Sequence, residues 1–245
     1  MAKRKKSTAA AGKMSIDAMR QMINKTAGMN VAHSLEEDNP TEVKEWIPTG
    51  STWLDSIICK GKRGGIPIGK IVELAGLPST GKSYMAFQIA ANAQRMGIDV
   101  VYFDAESAVD PEFIRKIGVD TKKLIYVQPT SVEFVLETIE SLLESNDNRM
   151  LFIWDSLAFT PAISDVEGDF NPNSSMAVKA RVLSKAMSKL TVPIAVSQST
   201  LLVLNQLKTN IPTGPNAHVV AMTTPYVTPG GKALTYAYSL RIWLT

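Results

Sequence analysis

Eight consecutive residues, Gly76-Leu77-Pro78-Ser79-Thr80-Gly81-Lys82-Ser83, constrain this chain more than any other stretch. They satisfy G-x-x-x-x-G-K-[ST] at every fixed position. The setting agrees: an apolar run at 71–74 reads as a strand before them, and a helical pattern over 82–96 follows. Glycines in such a loop let the backbone curl so that several N–H groups face phosphate oxygens. The following helix adds roughly half a positive charge at its start. Lys82 supplies a cation for the β- and γ-phosphates, and the Ser83 hydroxyl a ligand for Mg²⁺. The expectation is a nucleotide site, for ATP with Mg²⁺, built from Gly76 through Ser83 with Tyr84 next to it.

The rest of the chain alternates in the same way. Strand patterns at 71–74, 100–103, 124–127, 151–154 and 200–204 are separated by helical patterns at 82–96, 111–117, 132–144 and 176–190. Strands alternating with helices imply an α/β fold, a largely parallel sheet with helices on both faces. Leu151-Phe152-Ile153-Trp154-Asp155 is a strand ending in an acid, which puts Asp155 where it can orient Mg²⁺ or its water. Val100-Val101-Tyr102-Phe103-Asp104-Ala105-Glu106 is a second strand running into acids. Parallel strands bring their C-terminal ends to one edge, so Glu106 can reach an attacking water as general base, a role worth roughly 10²–10⁴-fold.

Composition narrows the remaining classes. The chain has 245 residues and a net charge of only +3, so a globally basic surface does not define it. Its single cysteine, Cys59, allows neither an internal disulfide nor a cysteine zinc site, and His33 and His218 stand too far apart to suggest one. No apolar run approaches the ~20 residues that cross a bilayer, so no membrane role is expected and a cytoplasmic location is. Basic residues gather at the start: Lys3, Arg4, Lys5, Lys6, Lys13, Arg20 and Lys25 against Asp17 alone. Ile16, Met19 and Ile23 repeat at helical spacing behind Ser15 as N-cap. This short amphipathic helix needs a surface to dock on. Residues 1–48 thus read as tail, helix and linker serving oligomerisation, and 49–245 as the core. Two segments resist the strand-helix pattern: 168–175, short and polar, and 207–229, rich in Pro, Thr, Asn and Gly. A loop of the second kind inside a compact domain is functional or disordered.

From Thr49 to Trp243 the chain resembles the ATPase core of RecA-type DNA recombinases. The match is collinear through Thr49-Gly50-Ser51, Gly64-Gly65-Ile66-Pro67, Gly69-Lys70-Ile71-Val72-Glu73, the phosphate loop, Phe103-Asp104-Ala105-Glu106, Asp110-Pro111, Asp155-Ser156, Asn205-Gln206 and Gly230-Gly231-Lys232-Ala233-Leu234. The resemblance implies that Glu106 is the catalytic glutamate. It implies that Gln206 senses the γ-phosphate and passes the signal to the loop after it, and that Phe113 and Asp110 lie at the adenine. It also implies that 168–175 and 207–229 are the two loops that hold single-stranded DNA. Gly168, Ser175, Met176, Arg181, Lys208, Asn210, Ile211, Gly230 and Gly231 are then DNA-contacting candidates. Ile16, Met19, Ile23 and Tyr236 are interface candidates in a head-to-tail homo-oligomeric filament.

The implied function is an ATP-dependent recombinase that polymerises on single-stranded DNA and pairs it with homologous duplex DNA. The alternative classes are an ATP-binding recombination mediator without strand exchange and a replicative helicase of the same fold. The chain departs from the family at three places. It stops at Ile242-Trp243-Leu244-Thr245 inside what reads as a strand, whereas the family continues into a trans-acting lysine pair, which implies weak hydrolysis. The 207–229 segment is longer and richer in proline. Lys60-Gly61-Lys62-Arg63 is a basic insertion.

Overall fold

Among the described residues the main sheet has six strands, all parallel, lying side by side in the order 240–244, 71–76, 200–206, 150–155, 99–104 and 124–127. The structure is a computed structural model that describes residues 14–36, 42–62, 64–167, 176–212, 214–215 and 217–245, with the backbone alone at Met176 and Ala177. Its elements, in chain order, are α1 (Ile16–Ala27), β1 (Trp46–Ile47), α2 (Thr52–Ile58), β2 (Ile66–Pro67), β3 (Ile71–Gly76), α3 (Lys82–Arg95), β4 (Asp99–Asp104), α4 (Pro111–Ile117), β5 (Leu124–Val127) and α5 (Val132–Ser145). There follow β6 (Met150–Asp155), α6 (Ile163–Glu167), α7 (Met176–Val196), β7 (Thr200–Gln206), β8 (Lys208–Thr209), α8 (Ala217–Thr223), β9 (Tyr226–Val227), α9 (Lys232–Ala237) and β10 (Leu240–Leu244). The chain divides into two units, Met1–Glu42 and Val43–Thr245.

In the larger unit, β3, β6 and β7 are buried along nearly their whole length, as strands covered on both faces must be. Alternate side chains leave each strand on opposite faces. On one face Val72, Leu74, Val100, Tyr102, Ile153 and Leu202 pack under Ala86, Ile89, Ala90 and Ala93 of α3. On the other, Ile71, Val101, Phe103, Phe152, Trp154 and Val203 pack under Val135 and Ile139 of α5 and Leu183 and Leu190 of α7. The expected α/β sheet with helices on both faces is therefore present, and the strand expected at the C-terminal end is β10.

The order of strands places the site. In sequence β4 follows β3, but β7 and β6 lie between them. Gly76 pairs with Gln206 and Asp104 with Asp155, so the C-terminal ends of β3, β7, β6 and β4 stand side by side at one edge.

Two expectations needed correction. The helix expected to end at Leu190 runs on to Val196 with Pro193 inside it. Proline removes one helical N–H bond, but Leu190 and Ile194 are both buried in the second core and hold the last turns in place. The segment 207–229 is not plain loop: β8 and β9 pair antiparallel, Lys208 with Val227 and Thr209 with Tyr226, with α8 between them.

In the smaller unit, Ser15 caps α1 by accepting the Ala18 N–H at 3.2 Å, as expected, and Gly28 ends it in the left-handed region at φ 69°. Asn24 folds the following chain back: its Oδ1 accepts the amides of Val31 at 2.9 Å and Ala32 at 2.7 Å. No α1 residue is buried. Among the described residues, no helix is long and apolar enough to cross a membrane.

Candidate nucleotide site

The phosphate loop leaves β3 at Gly76 and turns into α3 at Gly81, whose φ of 89° suits a residue without a Cβ. Thr80 Oγ1 donates to the Leu77 carbonyl at 2.8 Å and ties the loop to itself. Lys82 Nζ lies against the same turn, 3.0 Å from Leu77 O and 3.3 Å from Gly76 O. Gly81 brings no side-chain cap to α3, so the first amides of the helix remain available to an anion. A cavity of about 450 Å³ opens here. Pro78, Ser79 and Gly81 through Tyr84 form one wall, and Glu106, Asp155 and Gln206 the other. The structure thus brings together residues that the sequence spreads from Pro78 to Gln206.

Asp155 Oδ2 accepts from the Ser83 hydroxyl at 2.7 Å and from the Tyr102 hydroxyl at 2.6 Å. Burial pushes the Asp155 carboxyl above its usual range; the two hydroxyl bonds pull it back, and Glu106 and Asp104 add repulsion. Burial, then Asp155, drives the Tyr102 phenol well above its own range, so it stays a donor. Among the described residues no group of three or more His, Cys, Asp or Glu gathers around a point. One hydroxyl and one carboxylate nevertheless suit Mg²⁺, which takes few protein ligands and fills its octahedron with phosphate oxygens and water.

Glu106 is held from two sides. Its Oε1 accepts Ser156 Oγ at 2.6 Å and Gln206 Nε2 at 3.3 Å. The turn that presents it is built by Asp104, whose carboxylate accepts the amides of Glu106 at 3.1 Å, Ala108 at 3.0 Å and Val109 at 3.2 Å, and the Tyr126 hydroxyl at 2.8 Å. Asp104 and Glu106, alike as strand-end acids in the sequence, are thus given different work by their surroundings.

Tyr84 and Phe113 face each other with ring centroids 6.2 Å apart and planes tilted by 50°, both half exposed. Asp110 caps α4, its carboxylate accepting the Glu112 amide at 2.8 Å. Of the DNA-contacting candidates, Gly168 and Ser175 lie outside the described residues, as do 1–13 and Arg63. Met176 opens α7 and Arg181 stands exposed one turn on. Lys208 is exposed on β8 and Ile211 is 84% exposed beyond it. Asn210 spans the hairpin, its Nδ2 donating to Thr224 O at 2.9 Å. Gly230 packs against Leu234, and Gly231 starts α9. Tyr236 is 83% exposed, and Ile16, Met19 and Ile23 are exposed on α1.

Sequence reasoning missed the lock at the neck of 207–229. Glu73, fully buried in β3, accepts Asn205 Nδ2 at 3.0 Å and Arg241 Nε at 2.7 Å. Asn205 also donates to Pro229 O at 2.9 Å and accepts the Gln206 amide at 3.0 Å, while Arg241 donates to Thr228 Oγ1 at 3.1 Å. The available signal was a Glu, an Asn and an Arg inside otherwise apolar strands, which demand partners when buried.

The family model described as the RecA N-terminal domain matches residues 14–244. Protein RecA of Bifidobacterium breve is 36% identical over 230 residues, covering 94% of this chain and 55% of that protein. Protein RecA of Streptomyces avermitilis is 36% identical over 227 residues, covering 93% of this chain and 57% of that protein. The chain therefore spans a little over half the length of these curated relatives.

Proposed function

The chain belongs to the RecA family, and from that premise we propose that it is a DNA-dependent ATPase that works as a recombinase. It binds ATP in the cavity at Gly76–Ser83, polymerises head to tail on single-stranded DNA and pairs that strand with homologous duplex DNA, in the cytoplasm. The observation that carries this reading is the shared bond at Glu106: one carboxylate oxygen accepts both Ser156 Oγ, next to the metal-site candidate Asp155, and Gln206 Nε2, at the root of the 207–229 segment. One proton-accepting group thereby touches both the nucleotide cavity and the residue that leads into the segment proposed to hold DNA.

In this reading Lys82 exchanges the loop carbonyls for phosphate oxygens, and the first amides of α3 cradle them. Tyr84 and Phe113 offer faces to adenine, with Asp110 fixing the helix that carries Phe113. Ser83 and Asp155 hold Mg²⁺, which when bound screens the phosphate charge. Glu106 accepts the proton of the attacking water. Gln206 leaves Glu106 for the γ-phosphate or water, and because its amide bonds Asn205 the change reaches the neck of 207–229. Lys208, Arg181 and Asn210 take backbone phosphates, with Met176, Ile211, Gly230 and Gly231 alongside the strand and Gly168 and Ser175 before α7. Ile16, Met19, Ile23 and Tyr236 serve the contact between copies.

The test is ATP turnover with and without single-stranded DNA, together with electron microscopy in a slowly hydrolysed ATP analogue. DNA-stimulated turnover and helical filaments are expected. ATP binding with neither would leave only a nucleotide-binding module and end the recombinase reading.

A further inference from the structure

Lys179 lies in the first turns of α7, and its ammonium is turned inward. Nζ donates to the carbonyls of Thr160 at 2.6 Å, Leu157 at 2.7 Å and Ala158 at 3.4 Å. Those carbonyls belong to one unit. Immediately after β6 the chain makes a single helical turn, in which the Phe159 and Thr160 amides both donate to Ser156 O at 3.2 Å. Such a turn leaves its last carbonyls pointing one way without partners of its own. A cation at that end satisfies them and complements the local dipole, and an ammonium has three donors for three acceptors. Burial pulls the Lys179 ammonium below the usual lysine range while Asp165 pushes it back up, so the cage is held against a desolvation cost.

The other end of this turn is Ser156, the donor to Glu106. Within the turn, Thr160 Oγ1 donates to Ser156 O at 3.0 Å and accepts Trp154 Nε1 at 2.8 Å. Bonded steps therefore run unbroken from Glu106 through Ser156 and Thr160 to Lys179. The same part of α7 is tightly packed against a third piece of chain. A Cβ added at Gly231 would lie 3.3 Å from Ala180 Cβ, and one at Gly230 would lie 3.2 Å from Leu157 Cδ2. The turn 156–160, the start of α7 and the Gly230-Gly231 corner meet with no slack, and close-packed interfaces pass displacement on rather than absorb it.

We propose that Lys179 is a positioning residue that couples the nucleotide cavity to the start of α7, so that a shift of Ser156 when nucleotide binds reaches residues 176–181. The inference rests on the nucleotide reading of the cavity. Hydrogen exchange on the whole chain, with and without Mg²⁺ and a slowly hydrolysed ATP analogue, tests it on wild type, Lys179→Met and Lys179→Gln. In wild type the analogue slows exchange both at 76–83 and at 176–181. In Lys179→Met protection at 76–83 remains, while the response at 176–181 falls by about tenfold, within the usual span of coupling between sites. Lys179→Gln, which keeps a donor without the charge, gives an intermediate response and carries the test where Lys179→Met does not fold. A folded variant with the full wild-type response at 176–181 overturns the proposal. Wild type without protection at 76–83 brings down the nucleotide reading, and this inference with it.

Discussion

Two regions meet at Gln206 and are held in opposite ways. On the nucleotide side the two acids of the cavity are fixed from outside their own segments: Asp155 by Ser83 and Tyr102, Glu106 by Ser156 and Gln206. On the 207–229 side, bonds stay mostly within the segment, such as Asn210 to Thr224 and Thr223 to Val219. Among the described residues, it is the neck that is bolted to the sheet, through Asn205, Glu73 and Arg241. Bonds between distant segments fix a geometry in advance, which suits chemistry on a small rigid ligand. Bonds within a segment leave it free to reshape against a long partner while its root stays in register.

The sharpest attack on this contrast is at its rigid side. Glu106→Gln keeps the size and two acceptor-donor contacts but removes the carboxylate proposed as the base, so turnover should fall roughly 10²–10⁴-fold with nucleotide affinity little changed; steady-state kinetics with equilibrium titration of a fluorescent nucleotide would check it. A drop in affinity as large as the drop in turnover would show that Glu106 holds the loop together rather than doing chemistry.

Next in size is the bolt. Arg241→Met leaves Glu73 buried with Asn205 as its remaining side-chain donor, and should cost about 3 kcal/mol in urea unfolding, at the low end for breaking a buried pair. Asn205 still clasps Pro229, so the variant should keep ATP turnover without DNA while losing part of its DNA response.

On the free side, Lys208→Ala should change stability by less than about 0.5 kcal/mol, being an exposed substitution. It should instead lower the slope of log affinity against log salt for single-stranded DNA by about 0.7, the share of one phosphate contact. An unchanged slope would take Lys208 out of the DNA-contacting set.

The smallest effect concerns protons. Burial raises the Asp155 carboxyl, so the folded chain binds that proton more tightly than the unfolded chain does. Its contribution to stability is present below the unfolded value of ~3.9 and is lost as pH rises through the folded value. Asp155→Asn carries no such charge. Without nucleotide, its stability relative to wild type should therefore improve as pH rises from about 4 toward neutrality, as followed by denaturant unfolding.

The same contrast explains what was legible in the sequence. The phosphate loop, the buried strands β3, β4, β6 and β7 and the Ser15 cap follow from spacing and apolar pattern, because burial on two faces forces near-continuous apolar runs. That Asp104 and Glu106 divide their labour was not legible, since only the fold brings Tyr126 and Ser156 to them. Lys179 left no trace either, because a lysine early in a helix usually points to water. The β8–β9 hairpin and α8 were missed because seven or fewer residues per element, facing no core, need no periodicity.

Asp104 has a consequence for the thermodynamics of ligand entry. A turn already braced by three amides and a tyrosine hydroxyl has no disorder left to surrender when a nucleotide arrives. Calorimetry should then find no surplus heat-capacity change from ordering of the 105–109 turn beyond that of the surface covered in the cavity and between the Tyr84 and Phe113 rings.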